Sequence, residues 1–384
     1  MKLNSLKCKI CIKGYLKEFK DFNLLSRVTS DSKPFKHGGR LFVCNKCGGV
    51  QKISDEKWLD EIKEIYSKYE TFTAEGFYDQ LVIDPETSSL KPRCEMLVEK
   101  LSETFEKKKI FSWLDYGCGR GAMLQAASKI CKDLNGFDLN NKNINYLKNI
   151  KNFNNLFTSQ EKLKTKKFDM ISMIHSLEHF VNPYEDLTFA YDLLDVNGFL
   201  FIQVNDTRKN PFEILVADHL THFEPSTLKN MLEKVGFRVQ RVTNNWITKE
   251  ISLLAVKGQN FRKNKNSKNI PTHDSKKINM QIDWLKSVVI KGKSLSLKKK
   301  EFGLFGSSVA STWLAHEIGE NVEFFVDEDN HRIGKHHMNR IIKSPQSLTN
   351  KNLVYIGLIP EIANRIFKKL KMLECKFELP PSFK

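Results

Sequence analysis

Apolar residues recur along this chain in two spacings, and the alternation between them is its most legible feature. Trp58, Leu59, Ile62, Ile65 and Tyr66 stand three and four apart, which predicts a helix over residues 53–69. Leu97, Val98 and Leu101 share one face of a helix expected over 91–105. Short apolar runs then alternate with helical spacing: a strand at 110–114, a helix over 122–130, a strand ending at 138 and a helix over 140–150. A short strand at 155–159, a buried strand at 167–175, a helix over 187–194 and a strand at 199–204 continue the series. Asn197-Gly198 reads as the cap that ends the 187–194 helix. Strand and helix in alternation predict a parallel sheet covered on both faces. A helix over 226–235, capped by Ser226, precedes runs at 236–242 and 250–256 that look like a closing antiparallel pair.

The plan then repeats. Residues 257–271 are polar, basic and nearly devoid of apolar side chains, as a linker would be. A helix is expected over 278–298, followed by a second strand, glycine turn and helix from 301, and a strand at 322–326 ending on Asp327. This second α/β unit looks like half of a Rossmann fold, but its G-x-x-G spacing is incomplete and no bound dinucleotide is expected. The divisions are residues 1–70, a core at 71–256, a linker at 257–275 and the second unit at 276–384. With 384 residues, 40% of them hydrophobic, the chain can bury two or three cores.

Three features of the chain bear on where it works. No stretch approaches 18 uninterrupted apolar residues, and Met1-Lys-Leu-Asn-Ser-Leu-Lys-Cys lacks a signal peptide's apolar centre, so a cytoplasmic protein without a membrane partner is expected. The net charge of +17 suits an anionic ligand. Its lysines are nevertheless scattered over helix surfaces and the linker, which reads as solvation and does not favour nucleic acid as partner. Oligomeric state is left open.

Candidate chemistry concentrates at residues 112–121, Ser-Trp-Leu-Asp-Tyr-Gly-Cys-Gly-Arg-Gly. The strand delivers Asp115 into a turn with Gly117, Gly119 and Gly121, after which a helix begins. Alternate glycines let the backbone approach a ligand closely, and the new helix offers unpaired N–H groups. Asp115 would repel a pyrophosphate but suits an ammonium or hydroxyl group. Asp138, followed by Leu139, stands at the end of the next strand, where a carboxylate can accept from both ribose hydroxyls. Two carboxylates and three glycines describe a nucleoside site without phosphates.

The amino terminus carries Cys8-Lys-Ile-Cys11 and Cys44-Asn-Lys-Cys47-Gly-Gly, two C-x-x-C pairs able to close one tetrahedral zinc site. Gly48 fits a knuckle whose backbone folds back toward the sulfurs, and His37 could replace one thiolate. A few short strands are expected between the pairs. Tyr66, Tyr69, Phe72, Phe77 and Tyr78 cluster just beyond this unit, as packing at a junction or as a pocket wall.

Histidines mark the remaining sites. His175 and His179 lie at the carboxyl end of the 167–175 strand, on the side of the glycine loop. His179 is either a structural residue at a helix start or part of the substrate wall. Asp218-His219-Leu220-Thr221-His222-Phe223 follows. If this segment turns helically, His219 and His222 share a face and Asp218 points elsewhere. His331, His336 and His337 match no compact metal spacing and are taken as surface residues.

Asp115-x-Gly117-x-Gly119-x-Gly121 followed by Asp138 resembles the S-adenosylmethionine site of class I methyltransferases. With the cysteine knuckles, the Asp-His-x-x-His-Phe segment and the second α/β unit in that order, nearly the whole chain resembles three-part C-methyltransferases of nucleotide-linked deoxysugars. That family has Glu-His-x-x-Tyr-Phe where this chain has Asp218 to Phe223, and its histidine is the proposed base beside a sugar ketone. The resemblance therefore implies S-adenosylmethionine and structural zinc as cofactors, a nucleotide-sugar substrate and His219 as base. His222 stands in the tyrosine's place, His179 is the next candidate base, and the likeness of residues 167–183 to the family's fourth strand and the turn after it implies that His175 borders the adenosyl site. Asp218 and His222 depart from the family pattern, so O-methylation of a sugar remains an alternative. So do a zinc-containing RNA methyltransferase and a zinc-containing binding protein with a vestigial site.

Overall fold

The computed structural model describes residues 6–69, 79–87, 89–105, 109–258, 275–298 and 301–383. Phe72, Phe77, Tyr78 and nearly all of the expected linker lie outside them.

A seven-stranded sheet forms the centre. Its strands are β1 (Ser112–Tyr116), β2 (Asp133–Phe137), β3 (Phe153–Phe157), β4 (Phe168–Ile174), β5 (Leu194–Asn205), β6 (Phe237–Thr243) and β7 (Glu250–Lys257). The spatial order is 3-2-1-4-5-7-6. Strands β1 to β5 run parallel, and β7 lies antiparallel to both β5 and β6. The runs read as buried strands are apolar on both faces because both faces are covered. Trp113, Met170 and Phe201 pack into one cluster, and their neighbours Leu114, Ile171 and Leu200 into another, the two-residue period of a pleated sheet. The order reverses between β1 and β4, and the crevice at the carboxyl ends there is where such sheets bind ligands.

Two local expectations fail. The helix Pro183–Leu193 already ends at Leu194, and Asn197, with φ of 62°, sits inside β5. The register of β4 on β5 jumps between Phe168 and Met170 at that level, so Asn197-Gly198 makes an irregularity in the strand instead of a helix cap. The helix Pro225–Val235 is capped by Glu224, whose backbone N–H donates to Thr227 Oγ1, and Ser226 lies inside it. The helix expected over 140–150 contracts to Ile144–Leu147.

The amino-terminal unit is a four-stranded sheet of Leu16–Phe19, Leu41–Cys44, Val50–Gln51 and Thr221–His222, in that order, so its last strand comes from the core. Helix Glu56–Ser67 is joined to this unit by the buried, bidentate Arg27–Glu61 pair. The carboxyl-terminal unit has helix Ser275–Ser296 and a six-stranded sheet with Glu301–Phe305 between Phe324–Val326 and Asn352–Tyr355, all three parallel. One apolar cluster joins Phe22, Leu41, Phe212, Leu215, Trp313 and Phe325, so the three units share an interior. Among the described residues, no helix is long and apolar enough to cross a membrane.

Candidate active site

β1 ends in a turn built around positive φ values: 91° at Gly117, 50° at Gly119 and 87° at Gly121. A Cβ on Gly117 would come within 2.4 Å of the Ser176 Cβ, and one on Gly121 within 2.6 Å of Leu147 and Ile150. At Gly119 a Cβ would meet nothing within 4 Å, so that glycine faces open space. Asp138 Oδ2 accepts from Gly119 N–H at 3.0 Å and ties the end of β2 to the loop, while Leu139 beside it is 76% exposed. Burial pushes the Asp138 carboxyl up, against backbone N–H donors that pull it down. Asp115 turns inward: Trp113 Nε1–H donates to Ser172 Oγ, whose hydroxyl donates to Asp115 Oδ1 at 2.6 Å. Burial raises its pKa to about 7, and Asp138 adds to the effect. An open, left-handed glycine loop with a half-buried carboxylate and an exposed leucine fits a nucleoside-bearing cofactor.

The histidines fall into two groups beyond the carboxyl ends of β4 and β5. His175, with φ of 48°, places Nδ1 3.2 Å from Glu178 Oε1 and Nε2 3.1 Å from Glu250 Oε2. Glu250 also accepts from Arg93 at 2.9 Å and from Gln203 at 2.8 Å. Burial alone would lower the His175 pKa, but the carboxylates outweigh it and hold it near 9. His175 is thus an imidazolium clamped in a charge network, with both nitrogens engaged.

The second group joins His179, His219 and His222. His219 Nδ1 lies 2.5 Å from Glu213 Oε1, and the ring is 5% exposed. Burial opposes its charged form, yet Glu213 raises its pKa. The His179 ring stands edge-on to it at 4.5 Å between centroids, with Nδ1 3.1 Å from the Tyr66 hydroxyl and 3.2 Å from the Asp218 carbonyl. Burial and the neighbouring His219 lower the His179 pKa. His222 is buried with Nδ1 3.5 Å from Glu213 Oε1, and burial and Lys52 depress it to about 4.

Residues 219–222 do not turn helically. Thr221–His222 is a strand, Thr221 opposite Gln51 and His222 opposite Val50, so the shared face is replaced by convergence of both rings on Glu213. The Asp218 carboxylate accepts from Ser30 N–H at 2.9 Å and from the Ser30 hydroxyl, and its Oδ2 also lies 3.5 Å from His179 Nδ1. Tyr66 and Tyr69 of the amino-terminal region complete this wall, and Asp138 is among the charges that raise their pKa values, which puts the wall and the glycine loop in electrostatic reach.

The four cysteines meet as the spacing requires. All four sulfurs lie within 4.8 Å of one another, with Cys8–Cys47 and Cys11–Cys44 both at 3.6 Å. Thiolates at about 2.3 Å on a zinc tetrahedron stand ~3.8 Å apart, so the cluster fits the ion. Backbone N–H groups of Ile10, Cys11, Lys46, Cys47 and Gly49 point at the sulfurs, and Gly48 has φ of 66°. His37 is not part of it: Nδ1 lies 3.2 Å from the Leu24 carbonyl.

Between the two α/β units lies a cleft of roughly 220 Å³, lined among others by Arg93, Lys249, Ser307, Arg332 and Arg365. Ser307 and Asp327 are bonded at 2.7 Å beside the Gly306 turn, and Asn210, Phe212 and Glu250 connect the cleft to the histidine groups. His337 is not on the surface; it is 4% exposed with Nε2 2.7 Å from Thr312 Oγ1.

Residues 88–242 match a family model described as a methyltransferase domain. No curated protein matches the chain. Among solved structures, it is similar to an S-adenosylmethionine-dependent methyltransferase from Clostridium acetobutylicum ATCC 824, at 14% identity over 52% of this chain and 99% of that one, TM-score 0.38. It is also similar to one from Archaeoglobus fulgidus, at 20% identity over 43% of this chain and 94% of that one, TM-score 0.35. The core has the class I Rossmann-like methyltransferase fold.

Proposed function

We propose that this chain, whose residues 88–242 match a methyltransferase domain, uses S-adenosylmethionine to methylate a nucleotide-linked sugar, at a carbon made nucleophilic by His219. The observation that carries this reading is the buried His219–Glu213 pair at 2.5 Å beyond the carboxyl ends of the sheet. Glu213 accepts a hydrogen bond from Nδ1–H of the imidazole, which fixes the tautomer that leaves Nε2 free to accept a proton from substrate. Bound S-adenosylmethionine supplies an electrophilic methyl group on a sulfonium. His219 removes the proton next to a ketone, and the resulting carbanion has the lone pair that the methyl group needs. Asp138 and the backbone of Gly117 to Gly121 hold the nucleoside, Leu139 covers its base, and Asp115 supports the loop from beneath. His222 and His179 form the wall on which the sugar is oriented. The cleft between the two α/β units carries Arg93, Lys249, Arg332 and Arg365 alongside Glu250, Asp327, Glu328 and Asp329, and those cations are the candidates for holding the diphosphate of a nucleotide sugar. Cys8, Cys11, Cys44 and Cys47 hold a structural zinc ion.

The test is His219→Asn in a mass-spectrometric screen against nucleotide sugars. Loss of the base should lower turnover about 10²–10⁴-fold with S-adenosylmethionine affinity intact. Near-full activity in this variant would overturn the assignment. The same imidazole could deprotonate a hydroxyl, and the position of the new methyl group in the product separates carbon from oxygen transfer.

A further inference from the structure

Residues 216–222, which carry His219 and His222, are stitched to the amino-terminal unit more than to the core. Ala217 N–H donates to Val28 O at 2.8 Å, and Trp58 Nε1–H donates to Ala217 O at 3.1 Å. Lys52 N–H donates to Leu220 O at 2.7 Å, and Thr221–His222 extends the sheet that holds the second cysteine knuckle. At the centre is the Lys52 side chain, 2% exposed, whose ammonium donates to the Val216 carbonyl, to the His219 carbonyl at 2.8 Å, and toward His222 Nε2 at 3.4 Å.

We infer that Lys52 is a positioning residue for methyl transfer: its three N–H donors pin the carbonyls of Val216 and His219 and fix the tautomer of His222. A buried ammonium is retained only where partners compensate its desolvation, and here all three donors have one. Because the ammonium faces His222 Nε2, the neutral imidazole carries its proton on Nδ1, the nitrogen turned to Glu213. Glu213 is then flanked by two Nδ1–H groups, and its position between His219 and His222 is set from the other side of the segment. Burial first, then repulsion from Arg27, brings the Lys52 pKa to about 7, against Glu213, Asp218 and Glu61. The cation in turn depresses His222, opposed by Glu213 and reinforced by His219. The role rests on His219 acting as base, but its test needs no sugar substrate, so the two can fail separately.

The experiment is a titration of histidine-labelled protein by NMR, with the His222 signal assigned by its loss in His222→Gln. In Lys52→Met, His222 should titrate about one pH unit or more above wild type, and the amides of residues 216–222 should exchange faster. Affinity for S-adenosylmethionine, by calorimetry, should stay unchanged. Unchanged His222 titration and exchange in Lys52→Met would overturn the inference. If that variant does not fold, wild-type exchange decides: protection of the Lys52 and Ala217 amides at the level of the central sheet supports the inference, and exchange at the rate of an open loop overturns it.

Discussion

Replacing His175 by glutamine should remove a measurable piece of the protein's pH dependence. The imidazole bridges Glu178 and Glu250, and its pKa rises from 6.5 to about 9 despite burial. At about 1.36 kcal/mol for each pH unit, this corresponds to roughly 3 kcal/mol, trimmed somewhat because the side chain is 20% exposed. The folded state binds this proton more tightly than the unfolded chain does. The contribution is therefore complete below pH 6.5, shrinks as pH rises, and is gone above about 9. Lys52 contributes the opposite slope, since its folded pKa of about 7 lies below its ordinary 10.5 and stability from that source grows between those values. It is common to both proteins and cancels in the comparison. Urea unfolding of wild type and His175→Gln at pH 6, 7.5 and 9 should thus show a gap of about 3 kcal/mol at the lowest pH that closes toward the highest. A gap that stays constant across that range would refute the ionic account of this histidine.

Two further outcomes are expected. Asp138→Ala should weaken S-adenosylmethionine binding by several lost hydrogen bonds, each worth about 0.5–1.5 kcal/mol net, and unchanged affinity in titration calorimetry would remove Asp138 from the cofactor site. Protein purified without added metal should contain about one zinc per chain by elemental analysis, and a metal-free sample with the same melting curve would contradict a structural ion.

The parts that could be read from sequence are those in which local pattern and global structure coincide. β1, β4 and β5 are buried on both faces, so their apolar runs are dense, and the glycines after β1 sit where left-handed backbone and close packing on Ser176, Leu147 and Ile150 exclude other residues. The cysteine pairs announce themselves because each knuckle is a local turn. What could not be read is the set of charged partners. Glu250 lies 75 residues from His175 and 157 from Arg93, and no spacing in the chain marks either pairing. Lys52 reads as one more solvated lysine until Val50–Gln51 is seen to pair with Thr221–His222. That pairing also explains why residues 219–222 are extended: the ladder of the amino-terminal sheet outweighs any local preference for a turn. Glu224 displaces Ser226 as cap because the helix begins on Pro225, two residues before a Ser226 cap would allow, where the missing N–H costs nothing.

The four histidines beyond β4 and β5 are driven toward different protonation states by burial and by the charged groups each meets. His175 meets two and is held as a cation, with no free nitrogen for chemistry. His222 is held neutral by burial and by the Lys52 ammonium at Nε2, with Nδ1 turned to Glu213. His179 is also pushed down, and a weakened base is poorly matched to a carbon acid. His219 alone combines a raised pKa with a nitrogen unclaimed by its carboxylate partner. A higher pKa makes the stronger base but leaves less of it deprotonated at rest, so Glu213 helps only while the pH stays near or above the shifted value. Separate environments for neighbouring titratable groups are the physical means by which one site obtains both a base and fixed donors, and here Glu213, Lys52, Glu178 and Glu250 supply them.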